Sequence, residues 1–249
     1  MSEISQARAS LIRHAAKKRD TGTNFVRTVV CELRFPLLME LGSGNPPKSF
    51  VAAVRKNYPQ LEHVEEIAVG IGGPGQAAGV HIFRSLTRDW SVSLKQSAVL
   101  IEAKRYPGYD KFSERVKEVV AAASPVIDSD FWTRVGLRYI NDIPLADTEL
   151  ARLHEKLNPA LIQGLSRGVF RGVNQYSGLI VGGMENGGYR LQHELRQEKS
   201  SRGTVELGYR VDVDVWRSEI PLADTLDVLD SMHEEAFAIF DWALAPSHA

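Results

Sequence analysis

Arg134-Val135-Gly136-Leu137-Arg138-Tyr139-Ile140-Asn141-Asp142-Ile143 lies just past the midpoint of the 249-residue chain. Val135, Leu137, Tyr139 and Ile143 are apolar, while Arg138, Asn141 and Asp142 are polar. Alternation of this kind over a β-prone run reads as a strand with one buried face. Phe131-Trp132 lead into it as a hydrophobic anchor, and Pro144 is expected to end it, since proline cannot donate to a ladder.

Upstream, residues 25–35 (FVRTVVCELRF) alternate in the same way, with Phe25, Val29, Cys31, Leu33 and Phe35 on one face and Pro36 as the stop. A short helix is expected over 49–57, with Phe50, Val51 and Val54 as its stripe. Residues 80–86, 90–95 and 98–106 read as successive strands, and 109–123 as an amphipathic helix with Phe112, Val116, Val119, Val120 and Ala123 on one face. Gly70-Ile71-Gly72-Gly73-Pro74-Gly75 has the letters of a dinucleotide fingerprint but lacks its context, because extended structure follows where a helix must begin. A hairpin or loop is the expectation there.

Downstream, 146–157 reads as a helix and 169–180 as one bent strand or a pair. Residues 182–188 have the composition of a hairpin turn. Residues 189–197 and 204–216 are expected strands, the latter with Val205, Leu207, Tyr209, Val211, Val213 and Val215 on one face. A helix over 222–244 closes the sequence, with Leu226, Leu229, His233, Ala236, Phe237, Phe240 and Leu244 as the expected stripe and His233 as a core histidine.

The element order is strand, short helix, several strands, long helix, read twice. The expected class is therefore α+β: antiparallel sheet packed against two long helices, in two similar halves. Residues 1–22 form a basic arm or short helix, 23–128 the first half and 129–249 the second. With these segments on the page, the chain resembles a sporadically distributed, largely uncharacterised bacterial protein family. The resemblance is carried by VVCELRF (29–35), WSVSLKQSAVLIEAKRY (90–106) with YDKFSERVKEV (109–119), the central VGLRYIND (135–142), VDVDVW (211–216) and LDSMHEEAFAIF (229–240). It implies no agreed activity and only a loose link to mobile or defence loci. The order of elements is also similar to the secretion-chaperone fold, as a topological analogy.

Hydrophobic residues at 43% and charged residues at 24% are ordinary for a water-soluble globular protein. A net charge of −1 supplies no global field for nucleic acid or an anionic membrane. One cysteine, Cys31, forms no intramolecular disulfide, and no apolar run reaches the roughly 20 residues of a membrane span. With no signal-peptide core at the N-terminus, the expected compartment is the cytoplasm.

Candidate chemistry is sparse. Asp212 and Asp214 alternate with Arg210 on one strand face, and Glu194 and Arg196 suit a neighbouring strand. Two carboxylates on one face can hold a divalent ion, as in nucleases, but a solvated sheet face produces the same pattern. Arg138 offers a planar fork for a carboxylate or phosphate, or for a salt bridge to Asp212, Asp214 or Glu102. Arg167, Arg171, Arg190, Arg196 and Arg202 with Phe170 and Tyr176 make the second half locally basic, although near-neutral charge disfavours nucleic acid. No catalytic signature, metal ligand set or cofactor motif is assigned. The expectation is a binding or adaptor protein with a protein partner or self-association as a homodimer. Arg138, Asn141, Asp212, Asp214 and Arg196 are its candidate contact residues. The alternatives are a metal-dependent nuclease or hydrolase using Asp212 and Asp214, and a chaperone-like capture of apolar segments.

Overall fold

A computed structural model describes residues 12, 24–42, 44–70, 73–145, 153–165, 170, 172–173, 175–199 and 205–244; the side chains of 66–70, 73–78, 198–199 and 205–206 lie outside the description. So does the expected N-terminal arm, apart from Ile12. The strands are β1 (Val26–Arg34), β2 (Gln60–Gly70), β3 (Gly73–Arg84), β4 (Trp90–Leu94), β5 (Ala98–Ala103), β6 (Phe131–Leu145), β7 (Tyr176–Met184), β8 (Gly187–Lys199) and β9 (Val205–Pro221). The helices are α1 (Lys48–Val54), α2 (Tyr109–Ala123), α3 (Leu153–Lys156) and α4 (Thr225–Ala243). The class is α+β, with one nine-stranded antiparallel sheet in the order β2-β3-β4-β5-β1-β6-β9-β8-β7.

By compactness the chain divides into two units. One takes Val26–Tyr139 and Trp216–Ser231; the other takes Met1–Phe25, Ile140–Val215 and Met232–Ala249. β6, β9 and α4 each contribute residues to both.

In the first unit, strand alternation sends Val29, Cys31, Leu33, Val92, Leu94, Val99, Ile101, Val135 and Leu137 inward. α2 covers this face with Phe112, Val116, Val119, Ala122 and Ala123. Ala122 takes the place expected of Val120, which is half-buried. Phe50 of α1 meets Phe83 edge-on at 5.6 Å, and Trp90 stacks on Phe112 at 5.9 Å. Trp132 is fully buried beside Phe35, and its indole Nε1 donates to Thr225 Oγ1 at 2.8 Å. The Thr225 hydroxyl in turn donates to Leu222 O at 2.7 Å, so this bond fixes the start of α4. Tyr109 of α2 donates to Asp230 of α4 at 2.6 Å.

In the second unit the interior is built on Tyr209, Val211, Val213 and Val215 of β9, Ile143 and Leu145 of β6, and Leu191 and Leu195 of β8. Met232, Ala236, Ile239 and Ala243 of α4 are buried here, and Phe25 meets Phe240 at 6.4 Å. Leu153, Leu157, Leu161 and Ile162 complete the core, with Asn158 Nδ2 donating to Trp242 O at 2.9 Å.

Several expectations are corrected. Pro144 does not end β6, which runs to Leu145. Asp142 N already donates to Phe25 O just ahead of β1, so the β1 side offers no strand to be interrupted by the missing N–H two residues on. Residues 60–70, not read as a strand, form β2, which pairs β3 in a hairpin closing at Gly70↔Gly73. The fingerprint letters are thus a hairpin tip whose residues 71–72 lie outside the description. Residues 182–184 belong to β7, and the turn contracts to Glu185-Asn186. Of the helix expected over 146–157, residues 146–152 lie outside the described residues and α3 is the remainder.

The α4 seam also shifts. Thr225, Leu229, Met232, Ala236, Ile239 and Ala243 are buried, whereas Phe237 is 41% exposed and His233 only half-buried. Ala238 and Asp241 are buried as well, so the buried side of α4 widens toward its C-terminal end. Alanine at 236, 238 and 243 alternates there with the larger Met232 and Ile239.

Thr225→Val removes the acceptor of the buried Trp132 N–H while preserving shape. The expected loss is about 1–3 kcal/mol in urea unfolding, the cost of an orphaned buried donor. Trp132→Ala is expected to cost about 3–5 kcal/mol by the same measurement.

Candidate functional site

Alternation leaves the second face of the sheet polar. In the unit of Val26–Tyr139, Glu32 receives Arg134 Nη1 at 2.5 Å and Arg34 Nε at 2.9 Å. The Arg134 guanidinium sits 5.6 Å from the Trp216 ring centroid, a cation–π arrangement. Gly136 leaves the space this guanidinium fills, since a Cβ there would stand 2.5 Å from Nη1.

In the unit of Ile140–Val215, Arg210 forks onto Asp142, with Nε to Oδ1 at 2.7 Å and Nη2 to Oδ2 at 2.8 Å. Arg196 Nε lies 3.6 Å from Glu194 Oε1. Asp212 is 8% exposed and Asp214 half-buried. These pairs sit on strand backbones, so their positions are preset even though half-exposed ion pairs contribute little stability.

The five expected contact residues are divided between the two units. Asn141 lies on the buried face with Tyr139 and Ile143, 1% exposed, and its Nδ2 donates to Val211 O at 3.1 Å. The fold uses it to hold two strands in register, because a buried amide left without partners would be costly. Arg138 is exposed and falls in the other unit from Asp212, Asp214 and Arg196. Among the described residues, no three His, Cys, Asp or Glu side chains converge as a metal site requires. Cys31 is fully buried, and burial followed by the neighbouring Glu32 charge pushes its thiol up to about 12. An open groove of about 670 Å³ on α1 and α2 is lined by the half-buried Trp90 with Lys56, Lys111 and Arg115, whose charge Glu114 and Glu118 offset in part.

Two histidine environments were not legible in the sequence. His63 and His81 are directly cross-strand, with Nδ1 atoms 3.3 Å apart, so one ring donates and the other accepts. His81 is 1% exposed, and its Nε2 finds no partner among the described residues. Burial, and then the charge of His63, hold its pKa below the usual value. His193 pairs with Tyr209, Nδ1 to Oη at 2.6 Å, and burial lowers its pKa too. The missed β2 is the reason for the first pair: dense glutamates hid the alternation that places His63 opposite His81.

The most distinctive surface is β7, the last strand in the sheet order. Its nine residues, YSGLIVGGM, contain no charged side chain. Leu179, Ile180 and Val181 are 57%, 39% and 62% exposed. Gly178 and Gly182 lie opposite His193 and Tyr189, whose rings approach to 2.2 Å of where a Cβ would stand. These rings cover the glycines and stiffen the edge. The opposite edge, β2, differs: Glu62 pairs with Arg84 at 2.9 Å, Glu65 is exposed, and the register breaks between Ile67 and Val69. Charges and a bulge are the usual guards of an edge strand, and β7 carries neither. The signal in the sequence was the charge-free run itself, which the glycines disguised as a turn.

No helix among the described residues is long and apolar enough to cross a membrane. Set against known proteins, the chain matches no family model and no curated protein.

Folded pKa values of His81 and His193 below the unfolded 6.5 mean that the unfolded chain binds more protons between the two values. Stability is complete above pH 6.5 and is lost as pH falls through the folded values. Urea midpoints at pH 7.5 and 5.5 are expected to drop toward acid, and His81→Gln with His193→Gln to flatten that dependence.

Proposed function

We propose that this chain is a non-catalytic binding or adaptor protein of the bacterial cytosol that engages a protein partner by adding a strand to β7. The observation that carries the reading is that edge: nine residues without charge, three exposed large apolar side chains, and no strand on its far side among the described residues. Strand addition draws affinity from main-chain hydrogen bonds and selectivity from alternate side chains. Leu179 and Val181 share the open face with Arg190, Gln192 and Glu194, so an incoming strand meets apolar contacts beside fixed polar ones. Membership of the sporadically distributed family, and its loose link to defence or mobile loci, belong to the same proposal. They rest on the central LRYIN segment (137–141) and the pattern of the last helix.

The test is affinity capture with the tagged full chain in its native host, scored for any protein retained, including an untagged copy of itself. Wild type is expected to retain a partner. Leu179→Lys with Val181→Lys is expected to lower recovery about tenfold or more, with an unchanged circular dichroism spectrum. Retention that ignores the double substitution overturns the reading. Saturable manganese or magnesium binding in calorimetry, abolished by Asp212→Ala, would replace it with the hydrolase alternative.

A further inference from the structure

The central five residues of β7, Gly178 to Gly182, are symmetric in character about Ile180. Outward from Ile180 the flanking pairs are Leu179 and Val181, Gly178 and Gly182, Ser177 and Gly183, then Tyr176 and Met184. An antiparallel strand paired with its own copy is related by a two-fold axis, so every residue meets its mirror position across the centre. With the axis at Ile180, Leu179 meets the other copy's Val181 twice, glycine meets glycine, and Ile180 meets itself. Tyr176 meets Met184 at each end. No like charges oppose one another anywhere along the nine residues, a condition the glutamates of β2 do not meet.

From this we infer that the occupant of the β7 edge is a second copy of the chain, joined antiparallel about Ile180 to make one continuous sheet. The inference rests on the reading of β7 as a docking edge and names its partner. The two faces agree with it. Leu179 and Val181 lie on the polar face, across from Gln192 and Arg190, where they have no apolar neighbour on β8. The other copy supplies one. On the opposite face Ile180 is 39% exposed although it pairs with the buried Leu191, so one side of it is covered by its own unit and one side is open. About 30 Å of edge is buried by such pairing, at roughly 3.4 Å per residue.

Sedimentation equilibrium of the full chain tests it. The expected mass is twice the 27.6 kDa chain at micromolar concentration. Leu179→Lys with Val181→Lys sets lysine against lysine at both flanking pairs and is expected to give a monomer. Leu179→Glu with Val181→Lys changes the same positions but sets each glutamate against a lysine, and is expected to restore the dimer. This rescue depends on the Ile180-centred register and on the fold being intact. Ile180→Cys is expected to form a disulfide-linked dimer on oxidation, because opposed Cα atoms stand about 4.5–5.5 Å apart and the native Cys31 is fully buried. A monomeric wild type, or a dimer indifferent to the lysine pair, overturns self-pairing. If a monomer still captures another protein through β7, the docking edge stands and only the identity of its occupant falls.

Discussion

The strands between the two edges of the sheet each have a side buried from water, and the structure follows from covering it. The strands alternate with period two, so the inner face is a plane of valine, leucine and isoleucine broken by Trp132 and Tyr209. A bare plane of that kind cannot remain in water; α2 covers it in one unit, and Met232, Ala236, Ile239 and Ala243 of α4 are buried in the other. The Trp132–Thr225 hydrogen bond holds the first residue of α4. On the same helix Ala236 is buried and Phe237 exposed.

The outer face obeys a different constraint. It is charged on successive strands, and its charges are neutralised locally: Glu32 with Arg34 and Arg134, Asp142 with Arg210, Glu194 with Arg196. Such pairs add little free energy in water. Their effect is to fix guanidinium and carboxylate positions on a rigid backbone, and so to give the face a defined pattern of charge. Asn141 shows the complementary case. One polar side chain placed inside, bonded to the Val211 carbonyl, penalises a slipped register more than it stabilises the correct one.

The edges of the sheet are where folding and association meet. A strand at the end of a sheet leaves main-chain donors and acceptors unpaired, and a chain that keeps such an edge apolar invites another strand. β2 is guarded by glutamates and a register break; β7 is left smooth, its glycines roofed by Tyr189 and His193. The contrast between two ends of one sheet is a stronger indication of purpose than either end alone.

Local pattern determined much of this protein. The alternation of residues 25–35, 90–103, 134–143 and 207–216 is sufficient to name those strands and their buried sides, and the 109–123 periodicity names a helix. These readings succeed because period two and period 3.6 are properties of single elements. What required the tertiary structure involves two elements at once. The inward turn of Asn141, the facing of His63 and His81, the shift of the α4 seam and the exposure of Leu179 to Val181 depend on what lies across from each residue. Sequence spacing carries no record of that neighbour, so the same letters that read as a turn at 182–184 become, beside β8, the end of an open edge.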